Sequence, residues 1–248
     1  MDLATACYEG DASMVRHLCA CGADVKNSEE GTSPLFIACQ RGHVDAARVL
    51  LEYGAKVQVS ALWVASSNGH VGVARLLLDN GADVHRASRS GWSLLYVAIQ
   101  NGHVPVARLL LERGADVNRV SNFGLTPLLA ATAKGRVEMV KLLLENGAAV
   151  NRSDSFGVTP LEKACRYGAL EVVKLLLQHR RDIRDEATTN VSSILYILHM
   201  RGWLARLPWL PYADPSANTS DGRTLAQIAL LYSPILAELV RHQGKGAL

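Results

Sequence analysis

Three histidines, His43, His70 and His103, each follow a glycine and each precede an apolar run. A histidine recurring at one register is the pattern of a metal ladder, because neutral imidazole is a common ligand. The three are 27 and 33 residues apart, however, and ligands of one ion must converge within a few ångströms. Positions a whole structural repeat apart do not converge, so these histidines read as turn residues. Cys19-Ala-Cys21 has a spacing found in some metal sites, but no second cysteine or histidine pair accompanies it. Cys7, Cys39 and Cys165 share another register, just after an alanine, where free cysteine serves as a small hydrophobe. Arg86, Arg119 and Arg152 recur every 33 residues and offer either a phosphate-binding strip or partners for Asp83 and Asp116. The chain contains no Gly-x-x-x-x-Gly-Lys-[Ser/Thr] loop, no Gly-x-Ser-x-Gly elbow and no His-Glu-x-x-His. No catalytic residue, cofactor site or metal site is therefore expected, and the chain reads as a non-enzyme.

Composition points the same way. With 49% hydrophobic and 20% charged residues in 248, the chain can bury a substantial core. A formal charge of +3 is too small for a dedicated nucleic-acid or membrane surface, which favours the paired reading of the arginines. Five cysteines, an odd number, and a start without a signal-like apolar run predict reduced thiols. Cytoplasmic placement is expected, with the nucleus as the alternative. No stretch reaches the roughly 18 apolar residues of a membrane-spanning helix. A monomer is expected.

What must position these residues is a repeat. Gly-Ala pairs at Gly22, Gly54, Gly81, Gly114 and Gly147 are separated by 32, 27, 33 and 33 residues. Each closes an apolar run such as RVLLEYGA, RLLLDNGA or KLLLENGA. Upstream lie Gly42-His43, Gly69-His70, Gly102-His103, Gly135-Arg136 and Gly168-Ala169, and three units open with GTSPL, GLTPL or GVTPL. Thr126 and Thr159 are helix caps, and the proline after each suits a first helical turn because it has no N–H to lose. A short helix then ends at the glycine. A second helix packs its leucine face, and the Gly-Ala pair turns the chain into an extended finger.

These motifs resemble the ankyrin repeat, whose signature runs Thr-Pro-Leu-His, Gly-His, a leucine run and Gly-Ala-Asp-Val-Asn. The resemblance covers residues 1–183 and returns at 221–242. It implies an all-α fold, a solenoid of stacked helix pairs with finger loops, working by binding another protein. The family's histidine after Pro-Leu is replaced by Phe36, Trp63, Tyr96, Leu129 and Glu162, so its hydrogen bonds must be absent or remade.

The units are not uniform. The first begins within its inner helix, at Leu3, Ala6 and Gly10, as a cap or a fragment would. The third, GAKVQVSALWVAS, lacks about six residues between its Gly-Ala turn and the next helix, predicting intact helices and a stunted finger at 56–60. Residues 184–220 have lost the signature but keep two apolar stretches around Gly202, and are predicted to form a distorted helix pair broken by Pro208. Residues 221–248 resemble a last, capping repeat with a short tail.

Binding residues follow from the variable positions. Trp92, Phe123 and Phe156 stand beside the glycines that open fingers, and exposed aromatics of this kind tend to anchor partners. The other reading is that each ring covers a finger. Arg41, Asn68, Asn101, Lys134 and the pair Arg166-Tyr167 end the inner helices. In the ankyrin family, such positions face the concave groove, and Phe123, Phe156, Arg166 and Tyr167 would turn toward it together. The leading reading is an interaction scaffold for a protein partner. One alternative is the substrate receptor of a ubiquitin ligase, because LPWLP within 207–211 resembles the proline motif of the recruiting box that follows such repeats. The box's cysteine is missing, however, Pro208 and Pro211 are differently spaced, and a terminal repeat follows. A regulatory fragment of a larger protein is the other alternative.

Overall fold

The structure, a computed structural model, describes residues 1–26 and 33–182. Those residues hold α1 (Leu3–Glu9), α2 (Ala12–Ala20), α3 (Pro34–Arg41), α4 (Val44–Glu52), α5 (Val59–Asn68) and α6 (Val71–Asp79). They continue with α7 (Leu94–Asn101), α8 (Val104–Glu112), α9 (Pro127–Ala133), α10 (Val137–Glu145), α11 (Pro160–Tyr167) and α12 (Leu170–Asp182). Extended pairing among the described residues is limited to one antiparallel bridge, Ala87 to Ser93. The chain divides into two compact units, Met1–Ala130 and Ala131–Leu248. The degenerate segment 184–220 and the terminal repeat 221–248 lie outside the described residues.

The inner helices start where the sequence places caps. Side-chain oxygens of Ser33, Ser93, Thr126 and Thr159 accept the N–H three residues on, at 3.0 to 3.3 Å. Pro34, Pro127 and Pro160 occupy the first helical position. In the first unit α1, α3, α5 and α7 pack in succession, and α2, α4, α6 and α8 form the outer row. Ala6, Ala38, Ala65 and Ala98 are fully buried along the inner row, where a methyl group lets helices approach closely. Of the outer helices, α4, α6, α8 and α10 each bury residues at i, i+1, i+3 and i+4, as in Ala46, Ala47, Val49 and Leu50 of α4. Each fully buried leucine contributes about 1.5–3 kcal/mol, and the stack is the only way these narrow helices obtain that burial. In the second unit α12 packs on α10 and α11.

The histidines join one repeat to the one before. His43 Nε2 is 3.0 Å from the Tyr8 carbonyl oxygen, His70 Nε2 3.0 Å from that of Gln40, and His103 Nε2 2.9 Å from that of Ser67. Those oxygens lie in the last turn of an inner helix, whose carbonyls lack partners within the helix. A carbonyl can only accept, so each Nε2 carries the proton.

The fingers are also locked locally. The Ser88 hydroxyl accepts Trp92 N–H at 3.1 Å, and that of Ser121 accepts Phe123 and Leu125 N–H at 3.3 and 3.2 Å. In the second unit Asp154 Oδ1 takes the same place, accepting Phe156 and Val158 N–H at 3.0 Å each. The third finger departs as its length requires: residues 55–58 lead straight into α5. That helix has 10 residues against 8 in α3 and α7, and its N-cap, Gln58, makes no side-chain cap bond.

Candidate interaction surface

In the first unit the inner-helix ends carry three of the expected residues. Arg41 places its guanidinium 3.6 Å above the ring of Tyr8, an exposed cation–π contact worth about 0.5–1 kcal/mol. Tyr8, half exposed, was not among the expected site residues, although it sits one residue before the register of Arg41. Asn68 Nδ2 donates to the Gln40 carbonyl at 3.0 Å, and Asn101 Nδ2 donates to the Ser67 carbonyl at 2.8 Å and its hydroxyl at 3.0 Å. Gln40 and Ser67 oxygens are thus each held by an asparagine and a histidine. Both asparagines remain exposed while serving this inter-repeat contact.

The fingers of the first unit bring aromatic rings together. Trp92 stacks on Tyr96, centroids 4.1 Å apart, and on Phe123, centroids 5.6 Å apart. Tyr96 stands where the family signature has histidine. Burial pushes its hydroxyl above its ordinary pKa, against the opposing hydrogen bond from Gln100. Trp92 is therefore partly covered by its own repeat and the next, while Phe123 keeps 57% of its surface exposed.

In the second unit Phe156 and Tyr167 are 89% and 64% exposed. Tyr167 and Lys134 line an open groove of about 410 Å³ with Val137, Leu170 and Glu171. Phe156 is not among the residues of that groove. Arg166 donates to Glu162 Oε1 at 2.6 Å across one helical turn, in the favourable acid-before-base order. Glu162 also occupies the family's histidine position.

The remaining candidates have structural partners. Among the described residues no three His, Cys, Asp or Glu side chains group as metal ligands. Burial pushes the Cys7 and Cys39 thiols up to about 12 and raises that of Cys19, which keeps them protonated and unreactive at neutral pH. Cys165 is also buried and Cys21 exposed. Arg86 pairs with Asp83 at 3.5 Å. Among the described residues no helix is long and apolar enough to cross a membrane.

Comparison with known proteins places this architecture. The family model for ankyrin repeats matches three times, over residues 3–61, 58–121 and 114–187. The crystal structure of an ankyrin repeat domain from Acinetobacter baumannii is 32% identical, with a TM-score of 0.65, over 72% of this chain and 97% of that one. The human ASB11 ankyrin repeat domain is 24% identical, with a TM-score of 0.64, over 98% of this chain and 97% of that one. The ankyrin repeat domain of Bcl-3 is also 24% identical, with a TM-score of 0.66, over 97% of this chain and 98% of that one. These last two share its fold. No curated protein sequence matches the chain. The matched repeats span most of its length and coincide with the helix pairs described above: the chain belongs to the ankyrin-repeat family.

Proposed function

We propose that this protein is a non-catalytic scaffold that holds a protein partner on its inner-helix ends and finger tips. Ankyrin repeats are in general protein-interaction domains. The observation that carries the finer reading is the exposure of Tyr167 and Phe156 in the second unit, 64% and 89%. Both rings are open to a partner, and tyrosine is enriched among residues whose truncation costs binding energy because its ring offers large contact area with a polar handle. Lys134 beside Tyr167 adds a cation to the same groove. Arg41 over Tyr8 and Phe123 on Trp92 offer a comparable mixture in the first unit. The repeats orient these side chains before a partner arrives, which lowers the ordering entropy paid on binding. The five free cysteines favour a reducing compartment, the cytoplasm or nucleus.

The test is a Tyr167→Ala/Phe156→Ala double variant of the full chain, compared with wild type by affinity purification and mass spectrometry. Partner recovery is expected to fall while the melting temperature holds, with each ring contributing about 2 kcal/mol. Unchanged recovery by a folded variant would move the site away from the second unit. A large loss of stability would show that the rings are structural.

A further inference from the structure

The third finger is missing, and the structure shows what its absence uncovers. Gly54 and Gly81 are 27 residues apart, against 33 for Gly81 and Gly114, a deficit of six. The full fingers on either side of α7 and α8 are joined to one another. Asn122 N–H donates to the Ser90 carbonyl at 3.1 Å and Asn122 Nδ2 to that of Arg89 at 3.2 Å, while Phe123 stacks on Trp92. Arg89 stands 33 residues before Asn122, so it is the residue that would grip the preceding finger. That finger is absent, residues 55–58 leading straight into α5. Among the described residues, neither the Arg89 N–H nor its guanidinium has a hydrogen-bond or carboxylate partner.

In place of the finger is a cleft of about 180 Å³, lined by Val57, Val59, Leu62, Asp83, Arg86 and Leu94. Leu62 and Leu94 form an apolar floor and are nearly fully buried, while Val59 is 46% exposed at the rim. Its own lining carries one carboxylate and one guanidinium, Asp83 and Arg86, and the further charge next to it along the chain, Lys56 beside Val57 and Arg89 at the register of Asn122, is positive. Lys56 and Arg89 are exposed without a carboxylate partner among the described residues. Asp83 offsets only Arg86, through a pair 3.5 Å long whose side chains are both more than half exposed. Such a pair is weak and readily exchanged.

We propose that this gap is a docking groove for an extended, acidic segment of a partner protein, which takes the place of the missing finger. Six extended residues span about 20 Å, and an alternating segment would present acidic side chains to Lys56, Arg86 and Arg89 and apolar ones to Val57, Val59 and Leu94. Its carbonyls would receive the Arg89 N–H, as Ser90 receives that of Asn122. The inference rests on the protein-binding reading above and adds a second surface with a defined occupant.

The experiment uses the full chain and the fluorescein-labelled peptide EVEVEVE, with its lysine counterpart KVKVKVK as control, read by fluorescence anisotropy. The acidic peptide is expected to bind with a Kd on the order of 10–100 μM, and the basic one at least about tenfold more weakly. Arg89→Glu, an exposed change, should weaken the acidic peptide about tenfold. A variant with Asn-Arg-Val-Ser-Asn-Phe, copied from residues 118–123, inserted between Val57 and Gln58 restores the finger. It should bind no peptide while unfolding at or above the wild-type temperature. Equal binding by the restored-finger variant, or no wild-type binding at millimolar peptide, overturns the proposal. So does binding that emerges only in a Glu29→Gln/Glu30→Gln variant, which would make the chain's own acidic segment the occupant. Tyr167→Ala should leave the peptide's Kd unchanged, so failure here and failure of the second-unit site are read separately.

Discussion

His70 Nε2 lies 3.0 Å from the main-chain oxygen of Gln40, one repeat earlier, and its ring rests on Gly42. The contact explains why Gly-His recurs as a unit. The glycine ends one inner helix in a left-handed turn, with φ near +83° at Gly42, and leaves no Cβ where the next repeat's imidazole must sit. A Cβ at Gly42 would stand 2.6 Å from His70 Nδ1, far inside van der Waals contact. The imidazole then supplies the donor that the helix end lacks.

Gly42→Ala and Gly54→Ala separate these two demands. Both glycines have φ near +85°, at +83° and +86°, but a Cβ on Gly54 meets nothing within 4 Å. Gly54→Ala should cost about 1 kcal/mol for the left-handed backbone alone. Gly42→Ala should cost at least about twice that, because the ring must move and its hydrogen bond is lost. Urea unfolding of both variants, with His70→Ala added to close a double-mutant cycle, measures the difference. Equal losses would show that the ring yields freely.

Much of this was legible in the sequence, and the limits are instructive. The Gly-His and Gly-Ala pairs fixed helix ends because glycine alone tolerates those turns. The asparagines were legible only as variable polar residues. That Asn68 and Asn101 reach carbonyls of the preceding repeat depends on stacking geometry, which no local pattern encodes. The finger hook at 88, 121 and 154 leaves no motif in the sequence, because serine and aspartate are different letters performing one task. Trp92 was expected at a finger tip and lies there, but held between Tyr96 and Phe123. Tyr8 could have been found by aligning it with Gln40 and Arg166, two residues before each helix-ending glycine.

A buried hydroxyl gives the second prediction. The position after the inner-helix alanine holds Cys39, Ser66, Thr132 and Cys165 in four of the repeats. Ser66 Oγ and Thr132 Oγ1 are buried without a hydrogen-bond partner, in slots that their sister repeats fill with a thiol. Thr132→Val keeps the shape and removes the stranded donor, so it should stabilise by about 1 kcal/mol. Ser66→Cys should act in the same direction. A higher urea midpoint for both checks this, and a lower midpoint for Thr132→Val would mean that the hydroxyl finds a partner in solution.

The acid response of the last described finger follows from Asp154. Burial alone would raise its carboxyl, whose side chain is only 6% exposed. The N–H groups of Val158 and Phe156 and the Lys163 ammonium, 3.2 Å away, outweigh burial and hold it below its ordinary value of 3.8. A carboxylate with a depressed native pKa stabilises fully above its unfolded value, and that contribution is lost as pH falls through the native one. The finger bearing Phe156 should therefore be closed at neutral pH and open only below about pH 4. Amide exchange at Phe156 and Val158, corrected for intrinsic pH dependence, reports the opening. Asp154→Asn loses the charge and the Lys163 pair and should exchange about tenfold faster near neutrality. Asp154→Ser restores the hydroxyl that Ser88 and Ser121 use in their fingers, so its amides should stay protected without responding to acid. If wild type and Asp154→Ser open together as the pH falls, the carboxylate is not what holds Phe156 in place.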